Sequence, residues 1–215
     1  MTKIEFEYYE IWCKYRKYQI LIPKQDITRL IVLRLFCTSG GFWPEVTFYG
    51  NKSGLEAIRN ACAVLAGQDN VVVYFPTKKN KVPKFFSPCV EENPEEYEFL
   101  ELVFMKPNSL KISDWKEIRR RMTKKKPEKW DYYLETDFID IHIKEKYTYR
   151  RKELKETFYF DTVFYNIPYY KYPELAQHLE EFIQSNSDWD FFYFEGGKEV
   201  EMDFWDDDIW EERSL

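Results

Sequence analysis

The chain has 215 residues, of which 44% are hydrophobic and 20% aromatic, and this is enough for a sizeable core in one large or two small domains. Its formal net charge of −6 argues against general nucleic-acid binding, which depends on lysine and arginine neutralising phosphates, and it fits a basic partner. With only seven glycines, a glycine-rich phosphate loop is not expected.

The first elements in the chain are predicted to be strands. Ile4 and Phe6 alternate with charged residues, which is the period-two pattern of a sheet with one solvated face. We therefore expect residues 3–22 to form two strands that pair as a hairpin. Residues 31–37 are rich in branched aliphatic side chains and favour a strand, with a helix over 27–36 as the alternative.

Residues 45–76 read as strand, turn, helix and strand. Residues 46–49 are β-branched or aromatic, and residues 71–75 form a second short apolar run. Between them, Ser53 and Glu56 have the spacing of a capping box, so the helix is predicted to begin at Ser53. A helix with one apolar face needs a sheet to cover it.

The next segments are a strand and a basic helix. Residues 97–106 alternate at their start and become richly apolar, which predicts a strand. Ser113 is predicted to cap a helix that carries Trp115 and Ile118, and residues 116–126 are strongly basic. A solvated connector helix is one interpretation of this segment, and a functional basic patch that contacts nucleic acid weakly is the other.

The C-terminal part repeats this outline. Residues 132–149 alternate, and residues 154–165 are predicted to return beside them as one partner strand in a long hairpin. A helix is predicted with Pro173 in its first turn. Strands are expected at 189–194 and 200–204.

The predicted fold class is therefore α+β, because strand–helix–strand–strand occurs twice. We expect two similar halves, each a mainly antiparallel sheet with a helix packed on one face. The predicted units are residues 1–106, a basic connector helix over 107–130, and residues 131–215. Fusion of the two halves into one continuous domain is the alternative.

Catalytic and metal-binding motifs are absent from the sequence. The four cysteines are widely spaced without a CxxC pair, and Cys62 is predicted to be a buried thiol on the apolar stripe of its helix. His142 and His178 are predicted to be surface residues. Since there is no P-loop, GxSxG or HExxH, we expect a protein that is not an enzyme and has neither a cofactor nor a metal. The charged first residues predict a cytoplasmic protein without membrane contact.

The predicted partner-binding surface lies near the C-terminus, where tryptophans stand among carboxylates. Aromatic anchors supply buried area and charges steer the encounter, so this pattern favours a basic protein partner. The alternative is a solvated acidic tail whose tryptophans pack on their own core. The candidate residues are Glu199, Glu201, Asp203, Trp205, Asp206, Asp207, Asp208 and Trp210.

A family resemblance rests on residues 46–66, a strand followed by Gly50-Asn51-x-x-Gly54-Leu55 and a helix, and on the strand at 97–106. This pattern resembles small α+β immunity proteins of bacterial polymorphic-toxin systems, mainly over residues 45–106. The resemblance implies a cytosolic, non-enzymatic inhibitor that binds and blocks a cognate toxin, and it brings no catalytic residues with it.

Two other functions fit the sequence. One is a small-molecule sensor for nucleotides or sugars, with a pocket between the halves lined by tyrosines. The other is a phage-type anti-defence protein that uses the same acidic mimicry. The tyrosines considered for the pocket are Tyr165, Tyr169, Tyr170 and Tyr172.

Overall fold

The computed structural model of the chain describes residues 2–35, 46–80, 97–134, 155–185, 189–193 and 199–204. In this part of the chain eleven strands form one mixed sheet, packed with three α-helices, and the predicted α+β class is confirmed. The helices are α1 (Lys52–Gly67), α2 (Trp115–Met122) and α3 (Tyr172–Gln184). The strands are β1 (Thr2–Cys13), β2 (Arg16–Pro23), β3 (Leu30–Leu35), β4 (Val46–Gly50), β5 (Val71–Phe75), β6 (Tyr97–Met105), β7 (Glu128–Leu134), β8 (Lys155–Tyr159), β9 (Thr162–Asn166), β10 (Trp189–Tyr193) and β11 (Glu199–Phe204).

The strands follow the order β10-β11-β4-β3-β6-β5-β2-β1-β7, with β9 joined to β6 and β8 joined to β9. Three pairs are parallel, namely β11 with β4, β2 with β5, and β6 with β9, and the other pairs are antiparallel. β6 connects the two ends of the sheet, because its first residues pair with β3 and its later residues pair with both β5 and β9.

The predicted duplication into two similar halves is not confirmed. β7 pairs with β1, β9 with β6 and β11 with β4, so the later strands join the strands of 1–106 at three places in one sheet. α1 and α3 also share one hydrophobic cluster. The sequence left fusion of the halves open as the alternative, and the described sheet is continuous.

The core lies on both faces of the sheet. Leu102 and Phe104 of β6 pack in the cluster that contains α1 and α3. Val103 and Met105 pack in a second cluster that contains α2. This alternation follows from the period of a strand, whose successive side chains point to opposite faces. The shorter helix α2 therefore covers one face, and the two longer helices cover the other.

Helix α1 is packed closely at its end. A Cβ atom on Gly67 would lie 2.8 Å from the hydroxyl oxygen of Tyr132 in β7, so a larger residue here would require the Tyr132 side chain to shift. Cys62 on the same helix is fully buried, as predicted, and burial raises the pKa of its thiol. None of the described helices has the length and apolar character needed to cross a bilayer.

The start of α1 differs from the prediction. Asn51 is the N-cap, and its side-chain oxygen accepts a hydrogen bond from the Gly54 amide at 2.9 Å. Ser53 lies inside the first turn, so the predicted capping box of Ser53 and Glu56 is wrong. Asn51 takes the role because β4 delivers it in an extended conformation, with φ −78° and ψ 177°, directly before the helix.

Replacing Asn51 with alanine is expected to lower the free energy of unfolding by about 1 kcal/mol, because one helix amide loses its acceptor. The measurement is urea unfolding followed by circular dichroism. Asn51→Asp keeps a capping oxygen and is the matched control, with an expected loss of a few tenths of a kcal/mol or less. A larger loss for Ser53→Ala than for Asn51→Ala would contradict this assignment.

The prediction that residues 154–165 form one strand of a long hairpin is wrong. Residues 154–165 were expected to be one strand, but β8 and β9 form a hairpin of their own that turns at Phe160 and Asp161. The described part of the predicted strand at 132–149 belongs to β7, which pairs with β1 and extends to Leu134. The remainder of that prediction lies outside the described residues.

Candidate functional site

Helix α2 combines a buried apolar stripe with a charged outer face. Trp115, Ile118 and Met122 are buried against the sheet at helical spacing. The Trp115 ring packs edge-on against Tyr74, with the ring centroids 5.0 Å apart, and its Nε1–H donates to the Thr162 hydroxyl at 3.2 Å. These contacts fix α2 on β5 and β9.

Two hairpin tips lie beside α2, and each presents an aromatic ring. The β1–β2 turn consists of Lys14 and Tyr15, and the Tyr15 side chain is 98% exposed. The β8–β9 turn consists of Phe160 and Asp161, and Phe160 is 66% exposed. A short hairpin turn of this kind usually carries glycine or asparagine where φ is positive.

Both tips instead place a larger residue at positive φ. Lys14 has φ 54° and Phe160 has φ 53°. A bulky side chain in this region strains the backbone, and such strain concentrates at functional sites. Phe160 is the more informative case, since an exposed aromatic ring gains no burial that would offset the strain.

Ion pairs connect both tips to α2. The Lys14 ammonium pairs with the Asp114 carboxylate at the start of the helix. The Tyr18 hydroxyl donates to the same carboxylate at 2.9 Å, and the Lys14 bond holds the pKa of Asp114 below its usual value. On the other side, Arg119 pairs with Asp161 at 2.7 Å. We call helix α2 together with these two tips the α2 face.

An ionic network built on one buried carboxylate lies next to helix α2. Glu101 in β6 is 1% exposed, and it accepts a hydrogen bond from the Tyr74 hydroxyl at 2.7 Å. Arg119 pairs with Glu101 at 3.1 Å and with Asp161, which also lies 3.3 Å from Lys78. Two carboxylates and two cations therefore neutralise one another, with Glu101 buried and the other three groups partly exposed.

The network shifts the pKa values of its two carboxyl groups in opposite directions. Burial raises the pKa of Glu101, and this effect exceeds the opposing influence of the Tyr74 hydrogen bond and the Arg119 charge. Burial alone would also raise the pKa of Asp161, but the bonds to Arg119 and Lys78 bring that pKa below its usual value. A buried carboxyl group with a raised pKa beside a cleft is a candidate for function.

That cleft lies between α2 and the β8–β9 tip and has a volume of about 670 Å³. We call it the α2 cleft. Tyr159 and Phe160 form one wall, Trp115 contributes to the floor, and Lys116 and Arg120 come from the helix. The volume falls within the range of small-molecule sites, which is about 300 to 1,000 Å³.

The surroundings of the α2 cleft are cationic. Residues 111–126 contain eight lysines and arginines and two carboxylates, although the whole chain has a net charge of −6. Arg120 and Arg121 both bond to Glu117, and these bonds lower the pKa of Glu117 to about 2. The first part of the basic segment 116–126 thus lies in helix α2, which is packed on the sheet and ends at Met122.

The acidic residues predicted from sequence lie elsewhere. Glu199, Glu201 and Asp203 belong to β11, which is paired with β10 on one side and β4 on the other. Met202 of this strand is fully buried, and the strand predicted over 200–204 is confirmed. The other predicted partner-binding residues, Trp205, Asp206, Asp207, Asp208 and Trp210, lie outside the described residues.

The remaining sequence candidates are placed as follows. Nε2 of His178 lies 3.0 Å from the Asp190 carboxylate on a partly exposed part of the surface, and His142 is outside the described residues. Tyr165 and Tyr172 are fully buried in the core, so they do not line a pocket between halves. In the described ranges, no group of three or more His, Cys, Asp and Glu side chains could hold a metal ion.

Sequence reasoning missed Glu101, Arg119 and Phe160 as members of one site. The only available signal was a glutamate in the middle of an apolar strand, since Glu101 interrupts the run from Leu100 to Met105. Comparisons with protein-family models, with curated proteins and with solved structures found no match. The geometry of the chain is therefore the basis for assigning a function.

Proposed function

We propose that the protein is a non-enzymatic inhibitor of the immunity type, which binds a basic toxin or effector protein in the cytoplasm and blocks it. The observation that carries the proposal is the position of β11. Its acidic residues belong to a strand that is hydrogen-bonded on both sides, rather than to a free tail. A partner that docked on β11 would therefore meet a backbone that is already ordered, and this reduces the entropic cost of binding.

The place of β11 in the sheet is consistent with docking at this end. Its neighbour β10 is the last strand in the sheet order of the described residues. By backbone register, Glu201 lies opposite Phe191 and Asp203 lies opposite Trp189. In each pair an acidic residue of β11 lies opposite an aromatic residue of β10. Aromatic anchors with surrounding charges are typical of protein-binding surfaces.

The test uses the product of the neighbouring gene as the partner. We expect the two purified proteins to form a complex by isothermal titration calorimetry, and co-expression to restore growth of cells that make the partner. Because the contact is between opposite charges, affinity is expected to fall between about 50 mM and about 300 mM salt. Absence of both complex and growth protection would overturn the proposal.

A charge variant identifies the surface. Glu199→Gln, Glu201→Gln and Asp203→Asn together are expected to weaken binding at least about tenfold at low salt. The matched control is Glu128→Gln, Glu174→Gln and Glu181→Gln, three exposed residues whose replacement changes the net charge by the same amount. Equal weakening by both variants would show that overall charge, and not β11, governs binding.

A further inference from the structure

The α2 cleft has features of a ligand site that the inhibitor role does not use. It is the place where an exposed aromatic ring at positive φ meets a helix rich in cations. The charged side chains that line the α2 cleft indicate which class of ligand it binds, because among the described residues most of them are already paired and Lys116 is not.

Most charges around the α2 cleft have partners. Arg119 is neutralised by Glu101 and Asp161, and Arg120 forms two hydrogen bonds with Glu117. Lys116 differs, because among the described residues it forms no ion pair. Its Nζ lies 5.4 Å from the centroid of the Phe160 ring. The α2 cleft therefore offers one uncompensated positive charge, located next to an aromatic ring.

The wall opposite the helix is suited to a planar group. Phe160 contacts Tyr159 edge-on, with ring centroids 4.6 Å apart and an interplanar angle of 77°. This contact uses the edge of one of the two rings, and Phe160 remains 66% exposed. A planar ligand could stack on Phe160 while its negative group reaches Lys116.

We propose that the α2 cleft binds a small aromatic anion, of the size of a nucleoside monophosphate, with its ring on Phe160 and its anionic group at Lys116. The carboxylates of Glu98 and Asp161, which also line the α2 cleft, would accept hydrogen bonds from amino or hydroxyl groups of the ligand. A volume of about 670 Å³ accommodates one such molecule. The proposal does not depend on the inhibitor role.

The test is isothermal titration calorimetry of the full chain with adenosine monophosphate, adenosine and inorganic phosphate as separate probes. We expect the monophosphate to bind with a dissociation constant below about 1 mM, and each of the other two to bind at least about tenfold more weakly. The smaller aromatic anion 4-hydroxybenzoate is the fourth probe. Absence of binding by both aromatic anions would overturn the proposal.

Two variants assign the contacts. Lys116→Ala should weaken monophosphate binding at least about fivefold and leave adenosine binding unchanged, since only the charge contact is lost. Phe160→Gly should weaken both, and it should fold normally because glycine tolerates the positive φ at this position. The matched control is Lys124→Ala, an exposed lysine outside the α2 cleft, which should bind like the parent chain. Equal affinity of the parent chain and Lys116→Ala would also overturn the proposal.

Discussion

Replacing Trp115 with alanine is expected to lower the free energy of unfolding by about 4 kcal/mol. The side chain is 1% exposed, and its ring packs against Tyr74 and Phe164. Truncation would leave a cavity beneath α2 and would remove the donor to the Thr162 hydroxyl, which is itself buried. An eight-residue helix has little stability of its own, so it depends on such packing.

The measurement is urea unfolding of the variant beside Trp12→Ala. Trp12 is the matched control, because it has the same side chain but is 57% exposed. Its replacement is expected to cost about 0.5 kcal/mol or less. Similar losses for the two variants would contradict the packing of α2 on the sheet. Hydrogen exchange of the α2 amides should also accelerate more in Trp115→Ala than in the control.

Replacing Glu101 with alanine is expected to lower the free energy of unfolding by about 3 kcal/mol. The Tyr74 hydroxyl would lose its acceptor inside the protein, and Arg119 would keep only Asp161 as a carboxylate partner in the network. Glu101→Gln retains an acceptor for Tyr74 and a similar shape, so it is expected to cost only about 1 kcal/mol. Equal losses for the two variants would show that the network does not depend on hydrogen bonding to Glu101.

The pH dependence of these proteins tests the raised pKa of Glu101. A carboxyl group whose pKa is higher in the folded state binds its proton more tightly there, so protonation favours folding. As the pH falls through the folded pKa towards the unfolded value near 4.5, the parent chain should gain stability relative to Glu101→Gln, which cannot titrate. The measurement is the urea unfolding midpoint of both proteins at several pH values. If the parent chain lost stability relative to Glu101→Gln as the pH fell, the raised pKa of Glu101 would be contradicted.

Local sequence patterns predicted most of the elements correctly. Strands β1 to β6 and helices α1 and α3 all lie where hydrophobic periodicity placed them. The errors arose where a residue departs from its usual local role. Phe160 and Asp161 form a turn without glycine or asparagine, so the sequence predicted an uninterrupted strand from 154 to 165. Ser53 matched a capping motif, but the arriving strand places Asn51 at the cap.

The sequence by itself determined the class of the fold, the limits of most helices and strands, and the burial of Cys62, because these depend on neighbours along the chain. The tertiary structure alone decided that the two ends of the chain share one sheet, that β11 pairs with β4 and β10, and that Arg119 meets both Glu101 and Asp161. Strand pairing and charge neutralisation depend on residues distant in sequence. A glutamate in an apolar strand therefore gives no local indication of which cation will pair with it after folding.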